Sequence, residues 1–414
     1  MPQDPLHLLC IEPTFPGRLG AVADWLVRRR GYRCRFLFAN AEPQEQWPES
    51  VGKGLDLIHF NVGGVAKEER VPWTRVLERG LCYAYGCWEV LEMRRPRPVD
   101  LVLGRSAGLG SSLFAPIYVP GVPVVNFFDY YYHAHKHDLA DEAGPETAVE
   151  YFHWRRAANA MDLIELEADV TPWIPSRWQR DLYPKEYRDD FVVLYDGVDT
   201  RRFSRRLSGP RSVAGRQIPE NVRVVTFVAD RLEKLRGFDR FVELANRLLR
   251  DRSEVLCVAV GGAPVRRGLD VPFYNQDFGE YVLHQSPPFD PERFWRLGAV
   301  PWATVAELLA ISDLHIYPSR TYSVARSLLE ALSAGCIVLA ADNEPVREFI
   351  MHGQTGLLLD AANHDAWEKQ ALAILDQPAT YRPVGDAAAA LVREKYAQDV
   401  TLAQLAELLD RLLR

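Results

Sequence analysis

Segment 313–359 constrains the fold of this chain more than any other part of its sequence. A short apolar run, Leu314–Tyr317, is followed by a polar loop at Pro318–Ala325, an amphipathic stretch at Arg326–Ala334 and a second apolar run at Ile337–Ala340. This order of periodicities predicts a strand, a loop, a helix and a strand of a parallel sheet. In open sheets of this kind, ligands bind beside the carboxyl ends of the strands. We therefore expect a ligand at the polar loop and at the start of the helix.

The predicted helix start has groups that suit a phosphate ester. The amides of Ser327, Leu328 and Leu329 lie in the first turn, where N–H groups lack intrahelical partners and the helix dipole is positive. Glu330 follows one turn into the helix, where its carboxylate can accept hydrogen bonds from two vicinal hydroxyls, as an acidic residue does for ribose in dinucleotide-binding folds. An ordinary solvated glutamate is the alternative reading of Glu330.

The same segment resembles the nucleotide-sugar-binding signature of the family 4 retaining glycosyltransferases. The shared residues are Pro318-Ser319, Leu328-Leu329-Glu330-Ala331, Ala334-Gly335, and Glu348 followed by Gly353, Gly356 and Leu357. The signature also has a glutamate eight residues before Glu330, which faces the donor sugar in the family, and this chain has Tyr322 there. The resemblance implies an α/β fold of two facing Rossmann-like, doubly wound domains (GT-B) with an interdomain cleft.

Other parts of the second half resemble the donor site of that family. Segment 229–237 is similar to the family's Gly-Arg-Leu-x-x-x-Lys-Gly motif, which implies that Arg231 and Arg236 contact the donor diphosphate. Surface cations at a helix entrance are the alternative reading. Gly262 ends a predicted strand and has no side chain to cover its backbone. The turn at Val300 corresponds to the turn that lies by the nucleotide base in the family. Both are therefore candidate donor contacts.

Aromatic and titratable residues crowd the loop after the predicted strand Val122–Phe127. The loop reads Phe-Phe-Asp-Tyr-Tyr-Tyr-His-Ala-His-Lys-His-Asp from residue 127 onward. We predict that it holds the acceptor, with aromatic rings stacked on sugar faces and with Asp129 or His133 near the reacting atoms. The alternating histidines His133, His135 and His137 make a metal site the alternative reading.

Two features near the start of the chain each have two readings. Gly17 lies in a turn after the first predicted strand, where the resemblance implies a contact with the donor diphosphate, and a role in the turn alone is the alternative. The first helix, Leu19–Arg30, ends in three arginines. Such a run can dock on anionic lipid headgroups, or it can be a solvated face that complements the helix C-terminus. Peripheral membrane contact is thus one of two expectations.

Length and composition bound the class of protein. The 414 residues suffice for two domains, which we place at 1–195 (acceptor-binding) and 196–385 (nucleotide-sugar-binding), with helices at 386–414 that cross back toward the first domain. The net charge of −7 argues against a general nucleic-acid binder. We expect neither a signal peptide nor a membrane span, and the six scattered cysteines are typical of reduced thiols in a cytoplasmic protein.

These expectations combine in a retaining glycosyltransferase that moves a hexosyl unit from a nucleoside diphosphate sugar to a hydroxyl of a carbohydrate, lipid-linked or small-molecule acceptor. Its product would be a polysaccharide, a glycolipid or a natural-product glycoside. No Asp-x-Asp motif occurs, so we expect protein cations in place of a divalent metal, and no cofactor. The main rival is a non-catalytic sugar-nucleotide-binding GT-B protein or partner subunit, which Tyr322 favours. An epimerase or a phosphorylase on the same plan is the enzymatic rival.

Overall fold

The computed structural model describes residues 5–42, 51–63, 72–94, 98–105, 108–133, 149–206, 209, 211–262 and 277–414. The chain divides into two compact units. Unit 1 comprises Met1–Asp196 and Asp399–Arg414, and unit 2 comprises Gly197–Gln398. Each unit is an open parallel sheet flanked by helices, so the predicted doubly wound α/β fold is confirmed in both.

Unit 1 contains a seven-stranded sheet. Its strands, with two short extra ones, are β1 His7–Ile11, β2 Thr14–Phe15, β3 Arg33–Phe38, β4 Asn40–Ala41, β5 Leu55–His59, β6 Leu101–Gly104, β7 Val124–Phe127, β8 Thr171–Ile174 and β9 Val192–Val193. The spatial order is β5-β3-β1-β6-β7-β8-β9, all parallel, and β2 pairs with β4. In β1, Leu8 and Cys10 pack into one buried cluster and Leu9 and Ile11 into another. Both faces of the sheet are therefore covered, as continuous apolar strands predict.

The helices of unit 1 up to residue 196 are α1 Leu19–Arg30, α2 Pro72–Arg94, α3 Ala115–Tyr118, α4 Val149–Ala158, α5 Ala160–Leu166 and α6 Arg177–Leu182, with a 3-10 turn at Lys185–Asp190. A single helix over Glu146–Ala168, which the sequence pattern predicts, is wrong. The helix is interrupted at Asn159, whose side chain accepts from the Tyr132 amide at 2.7 Å and donates to the Tyr132 carbonyl at 2.8 Å. This reciprocal contact holds the loop after β7.

Unit 2 contains a six-stranded sheet and a hairpin. The strands are β10 Ser212–Val213, β11 Arg216–Gln217, β12 Arg223–Arg231, β13 Val255–Gly262, β14 Phe294–Arg296, β15 Leu314–Tyr317, β16 Val338–Ala341 and β17 Leu357–Leu359. The sheet order is β14-β13-β12-β15-β16-β17, all parallel, while β10 and β11 form the antiparallel hairpin. The sequence pattern also predicts a short edge segment at Leu297–Val300. In the structure the edge strand is β14 instead, because Phe294 and Trp295 are the residues that become buried.

The helices of unit 2 are α7 Phe238–Asp251, α8 Phe278–Gln285, α9 Trp302–Ala310, α10 Arg326–Ser333, α11 Glu344–Arg347, α12 His364–Asp376 and α13 Pro378–Lys395. The strand, loop, helix and strand predicted in segment 313–359 are confirmed as β15, α10 and β16. Helix α10 forms because its leucines recur at helical spacing, and Leu328, Leu329 and Leu332 are almost fully buried.

The last helix, α14 (Gln398–Leu412), completes the core of unit 1 rather than that of unit 2. Its residues Leu402, Leu405 and Leu409 are fully buried in the same cluster as Leu26 and Trp173. Burial of one leucine side chain stabilises the folded state by about 1.5–3 kcal/mol, so α14 contributes substantially to the stability of unit 1. Residues 386–398, which the sequence analysis assigned to the returning helices, belong to unit 2.

The arginines at the end of α1 are paired with acids of unit 1. Arg28 and Arg30 form ion pairs with Asp24 and Asp410, and Arg29 lies 3.6 Å from Asp399. Because carboxylates oppose the positive charges, this cluster fits a solvated face better than a lipid-docking surface.

Two further observations concern the cysteines and the search for membrane-spanning helices. All six cysteines are free, and burial raises the pKa of Cys87, Cys257 and Cys336 to about 12. Within the described parts of the chain, no helix has the length and apolar character needed to cross a bilayer.

Candidate functional site

The strand order marks one place for a ligand in each unit. In unit 1 the order reverses between β1 and β6, and in unit 2 it reverses between β12 and β15. Open α/β sheets bind ligands outside the carboxyl ends of the strands at such a switch point. The residues that follow these strands are therefore the candidate site residues of each unit.

In unit 2, Arg231 is the last residue of β12 and lies in register with Gly262 on β13. Its side chain is half-buried and makes no hydrogen bond or ion pair with the residues that the structure describes. An arginine left without an acidic partner at a switch point is suited to bind an anion.

Arg236 lies five residues further on, in the turn before α7, and is held in place. Its Nη1 donates to the carbonyl of Ser323 at 2.9 Å, its Nε lies 3.4 Å from Asp230 Oδ1, and its Cζ lies 5.6 Å from the centre of the Tyr322 ring. Burial lowers the pKa of Arg236, but the surrounding acidic groups, Asp230 first among them, together outweigh burial and raise that pKa above its usual value. Arg236 is therefore a fixed cation beside the loop after β15.

The turn that carries Arg236 packs directly on the loop after β15. Gly237 has φ +75°, and a Cβ atom there would lie 2.3 Å from the Pro318 carbonyl oxygen, so only glycine fits. Arg320, on that loop, donates to both carboxylate oxygens of Asp239 at 2.9 and 2.8 Å. Burial alone would raise the pKa of Asp239, but Arg320 outweighs it and lowers that pKa. These contacts fix the two loops at the switch point against each other.

The start of α10 differs in detail from the prediction. The Leu328 amide donates to the Ala325 carbonyl at 3.1 Å, because the first turn is tight. The amides of Ser327 and Leu329 make no backbone hydrogen bond to a described residue outside the helix. The Ser327 hydroxyl is buried and has no partner within the described ranges. The helix start thus presents the amides of Ser327 and Leu329 and the Ser327 hydroxyl rather than three equivalent amides. Glu330 lies half-buried one turn further along.

Gly262 and Val300 lie near each other at the other side of β12. The Gly262 carbonyl accepts from the Leu232 amide at 3.1 Å, and a Cβ atom at Gly262 would lie 3.6 Å from the Cβ of Ala299. Val300 is the next residue, half-buried just before α9. The structure therefore brings Arg231, Gly262 and the 299–300 turn together. The polar residues Arg266, Arg267, Tyr274 and Asn275 of the following loop lie outside the described residues.

In unit 1, a fully buried acid follows β1. Glu12 accepts from the amides of Arg18 and Leu19 at 3.1 and 2.8 Å, and from Arg105 Nη1 at 2.7 Å. Gly17 has φ +52°, and a Cβ atom there would lie 2.4 Å from Glu12 Cδ. Gly17 therefore makes room for the carboxylate that caps α1, a role that matches the turn reading of this glycine. The contact of Gly17 with a donor remains a prediction.

Arg105 connects Glu12 to Asp129, the first candidate catalytic residue. Arg105 follows β6, and its Nη2 donates to Asp129 Oδ2 at 3.1 Å, while Nη1 donates to Glu12. Gln179 Nε2 donates to the Asp129 carbonyl at 2.5 Å and lies 3.3 Å from Asp129 Oδ1. Nearby, Arg18 Nη1 lies 2.9 Å from Asp196 Oδ1. The carboxyl ends of β1, β6 and β7 thus carry a charge network.

His133, the second candidate catalytic residue, lies further along the loop after β7. Its Nε2 lies 2.7 Å from the Leu182 carbonyl oxygen, and because a carbonyl only accepts, Nε2 carries a proton there. The rings of Tyr130 and Tyr132 lie 5.0 Å apart. His135 and His137 lie outside the described residues, and in the part that is described no group of three acidic, histidine or cysteine side chains is arranged to hold a metal ion.

Two buried acids of α5, Asp162 and Glu165, were not predicted from the sequence. Tyr183 donates its hydroxyl to Asp162 Oδ2 at 2.8 Å, and Ser112 donates to Glu165 Oε1 at 2.8 Å. Burial, with a smaller effect of Glu165, raises the pKa of Asp162 to about 8. The only signal in the sequence is the spacing of three between the two acids, which places them on one face of α5.

Glu12 and Arg105 were also missed as site residues. Each directly follows an apolar strand, and that position in a parallel sheet is the signal that could have identified them. Their pairing depends on residues 93 positions apart, so the sequence pattern could not reveal it.

Two family models match most of the chain. The model described as "Glycosyl transferase family 4 group" matches residues 30–203, and the model described as "Glycosyl transferases group 1" matches residues 211–390.

Among curated proteins, the chain is similar to D-inositol 3-phosphate glycosyltransferases. It is 26% identical to that of Thermobispora bispora over 299 residues, which cover 69% of this chain and 64% of the relative. It is also 26% identical to that of Streptomyces scabiei over 368 residues, which cover 86% of this chain and 76% of the relative.

Among solved structures, the chain is similar to Anabaena HepE in complex with UDP and glucose. The TM-score is 0.67 at 16% sequence identity, and the match covers 98% of this chain and 100% of that chain. At this identity the likeness concerns the fold.

Proposed function

Because the chain belongs to the family 4, group 1 glycosyltransferases with the GT-B fold, we propose that it moves a hexosyl unit from a nucleoside diphosphate sugar to an acceptor hydroxyl, with retention of configuration. The observation that carries this proposal is Arg231, a guanidinium without an acidic partner among the described residues, at the switch point of unit 2. The fold match with a protein solved in complex with UDP and glucose supports the same donor class.

The proposed mechanism depends on charge stabilisation of the leaving group. Departure of the diphosphate places negative charge on its oxygens, and fixed cations and N–H donors stabilise that charge without reorganising. Arg231, Arg236 and the polar groups of Ser327 would supply this stabilisation. With two guanidinium groups in place, the proposal requires no divalent metal. Glu330 would accept hydrogen bonds from donor hydroxyls, and Gly262 and Val300 would lie by the base.

The acceptor would bind in unit 1, near Asp129 and His133. In a retaining transfer on one face of the sugar, the departing phosphate oxygen can take the proton of the acceptor hydroxyl. Asp129 would then orient that hydroxyl as a hydrogen-bond acceptor, while Arg105 and Gln179 fix its carboxylate.

Titration calorimetry with UDP, GDP and ADP tests the donor site. We expect one nucleotide to bind, and Arg231→Ala to weaken it by about tenfold or more, since a charge-assisted hydrogen bond contributes roughly 1.5–3 kcal/mol. The control is Arg393→Ala, which removes an exposed arginine from α13 of the same unit and should leave affinity unchanged. Equal affinities of wild type and Arg231→Ala would remove Arg231 from the site.

A second candidate function is a non-catalytic sugar-nucleotide-binding protein or partner subunit. The observation that favours it is Tyr322, which faces Arg236 where the family signature has an acid. A donor-hydrolysis assay and a broad acceptor panel separate the two functions. Nucleotide binding without hydrolysis or transfer would favour the non-catalytic one.

A further inference from the structure

The switch point of unit 1 has charges that bear on the chemical class of the acceptor. Building on the proposed function, we propose that this place receives a neutral polyhydroxylated acceptor, such as a sugar or a cyclitol, that carries no phosphate or other anionic group near its reacting hydroxyl. The D-inositol 3-phosphate glycosyltransferases, by their name, act on a phosphorylated polyol, so the proposal sets this chain apart from relatives of that name.

The first observation is that Arg105 lies between two carboxylates. Its Nη1 is 2.7 Å from Glu12 and its Nη2 is 3.1 Å from Asp129. The Glu12 side chain is fully buried, so an incoming anion cannot displace it into solvent. A phosphate that approached Arg105 would therefore compete with two carboxylates for one positive charge.

The second observation is that the neighbouring cation is paired as well. Arg18 Nη1 lies 2.9 Å from Asp196, whose side chain is 2% exposed. Both guanidinium groups lie against the Phe127 ring, with Cζ atoms 5.4 and 5.8 Å from its centre. Among these described side chains, each of the two guanidinium groups already has a carboxylate partner. A phosphate dianion gains little from cations that carboxylates already oppose.

The third observation concerns what the same groups can bind. The Asp129 carboxylate is 28% exposed, and a carboxylate accepts hydrogen bonds from hydroxyl groups. The dianion of a phosphate monoester has no proton on its phosphate group to donate. The aromatic rings of Tyr130, Tyr132 and Trp178 cluster on the same loop and on α6, at centroid distances of 5.0 to 6.0 Å. Aromatic faces beside a hydrogen-bonding carboxylate suit the C–H faces and hydroxyls of a neutral polyol.

The first test measures phosphate binding to the full chain. UDP binding is established by calorimetry, so that a failure of the proposed function is seen at this step and separately. Inorganic phosphate is then titrated into the UDP-saturated protein. We expect no phosphate binding below about 20 mM, a concentration that corresponds to only weak association. Millimolar phosphate binding that is lost in Arg105→Gln would overturn the proposal.

The variant Asp129→Asn provides a sharper test because it removes one negative charge and keeps the size and shape of the side chain. It releases Arg105 from one of its two acids, so we expect phosphate binding to become about tenfold tighter or more than in wild type. Circular dichroism checks that each variant folds. If Arg105→Gln does not fold, a second phosphate site in the UDP-saturated wild-type protein is sufficient to overturn the proposal, and its absence supports it.

The second test compares matched acceptors. Transfer to myo-inositol and to D-inositol 3-phosphate is measured with the donor that the nucleotide titration selects. We expect the neutral compound to have the higher kcat/KM, by about tenfold or more. A preference for the phosphorylated compound would overturn the proposal. If neither compound is used, the phosphate titration alone decides.

Discussion

The two units use the same topological position with opposite electrostatic settings. At the switch point of unit 2, Arg231 has no acidic partner among the described residues, and Arg236 is fixed by a carbonyl, an acid and an aromatic ring. At the switch point of unit 1, Arg18 and Arg105 are opposed by Asp196, Glu12 and Asp129. A shared fold therefore decides where a ligand binds, while the pairing of charges decides which ligand can bind there.

The difference arises from the residues that end the strands. In unit 1, β1 is followed by Glu12, and Asp129 follows β7, so acids reach the centre of the sheet edge. In unit 2, β12 ends in Arg231, and β15 is followed by Pro318 and Ser319. The local charge at each sheet edge thus depends on the few residues that follow the strands and on how those residues are paired.

The largest expected effect concerns Asp162, whose proton limits the negative charge of unit 1. Its folded pKa of about 8 lies above the value near 3.9 of an unfolded chain. The stabilisation due to its proton is complete below that unfolded value and is lost as the pH rises through 8. Relative to Asp162→Asn, wild type should lose about 5 kcal/mol of unfolding free energy between pH 4 and pH 8.

Urea unfolding at several pH values measures this difference. The control is Asp239→Asn in unit 2, where Arg320 lowers the pKa of the acid. The Asp239 contribution is present above the unfolded pKa and is lost as the pH falls through the folded one, so its pH window lies below about 4. Parallel stability curves for wild type and Asp162→Asn would contradict the proton on Asp162.

The second effect tests how strongly unit 1 depends on its paired charges. Glu12→Gln leaves Arg105 with one acid and removes the charge at the start of α1. Because loss of one partner of a buried ion pair leaves a charge uncompensated, we expect a loss of about 3 kcal/mol in unfolding free energy. Glu394→Gln, the same change at an exposed position of α13, should alter stability by less than about 0.5 kcal/mol. Similar stabilities of the two variants would show that the pairing contributes little.

The third effect tests whether Tyr322 positions the cation of unit 2. Tyr322→Ala removes the ring from Arg236, and a cation–π contact contributes about 0.5–2 kcal/mol, so we expect UDP affinity to fall several-fold. Tyr322→Phe keeps the ring and should retain wild-type affinity. If the two variants bind UDP equally well, the ring does not hold Arg236.

The smallest effect concerns the arginines at the end of α1. Arg29 and Asp399 lie 3.6 Å apart and both are about half exposed, so Arg29→Gln should cost less than about 1 kcal/mol. Binding to vesicles of anionic lipid should be weak in wild type and unchanged in the variant. Strong vesicle binding that is lost in Arg29→Gln would restore the membrane-docking reading.

The sequence predicts the local elements of the site well and their pairing poorly. The β15–α10–β16 unit is predicted because apolar spacing changes from a strand period to a helical period within one short segment. The break at Asn159 was missed because it depends on a contact with Tyr132, 27 residues away. The Glu12–Arg105–Asp129 network was missed for the same reason, since it joins residues that follow three different strands. Arg231 is predicted as a donor contact because segment 229–237 resembles a motif of the family.

The path of the chain through the two units has a consequence for biosynthesis. The hydrophobic interior of unit 1 contains Leu402, Leu405 and Leu409, which follow all of unit 2 in the chain. Every residue of unit 2 is synthesised before them. Unit 2 can therefore reach its native state first, whereas the apolar surface of unit 1 that α14 covers stays open until α14 has been synthesised. A premature stop after residue 398 would leave the core of unit 1 incomplete.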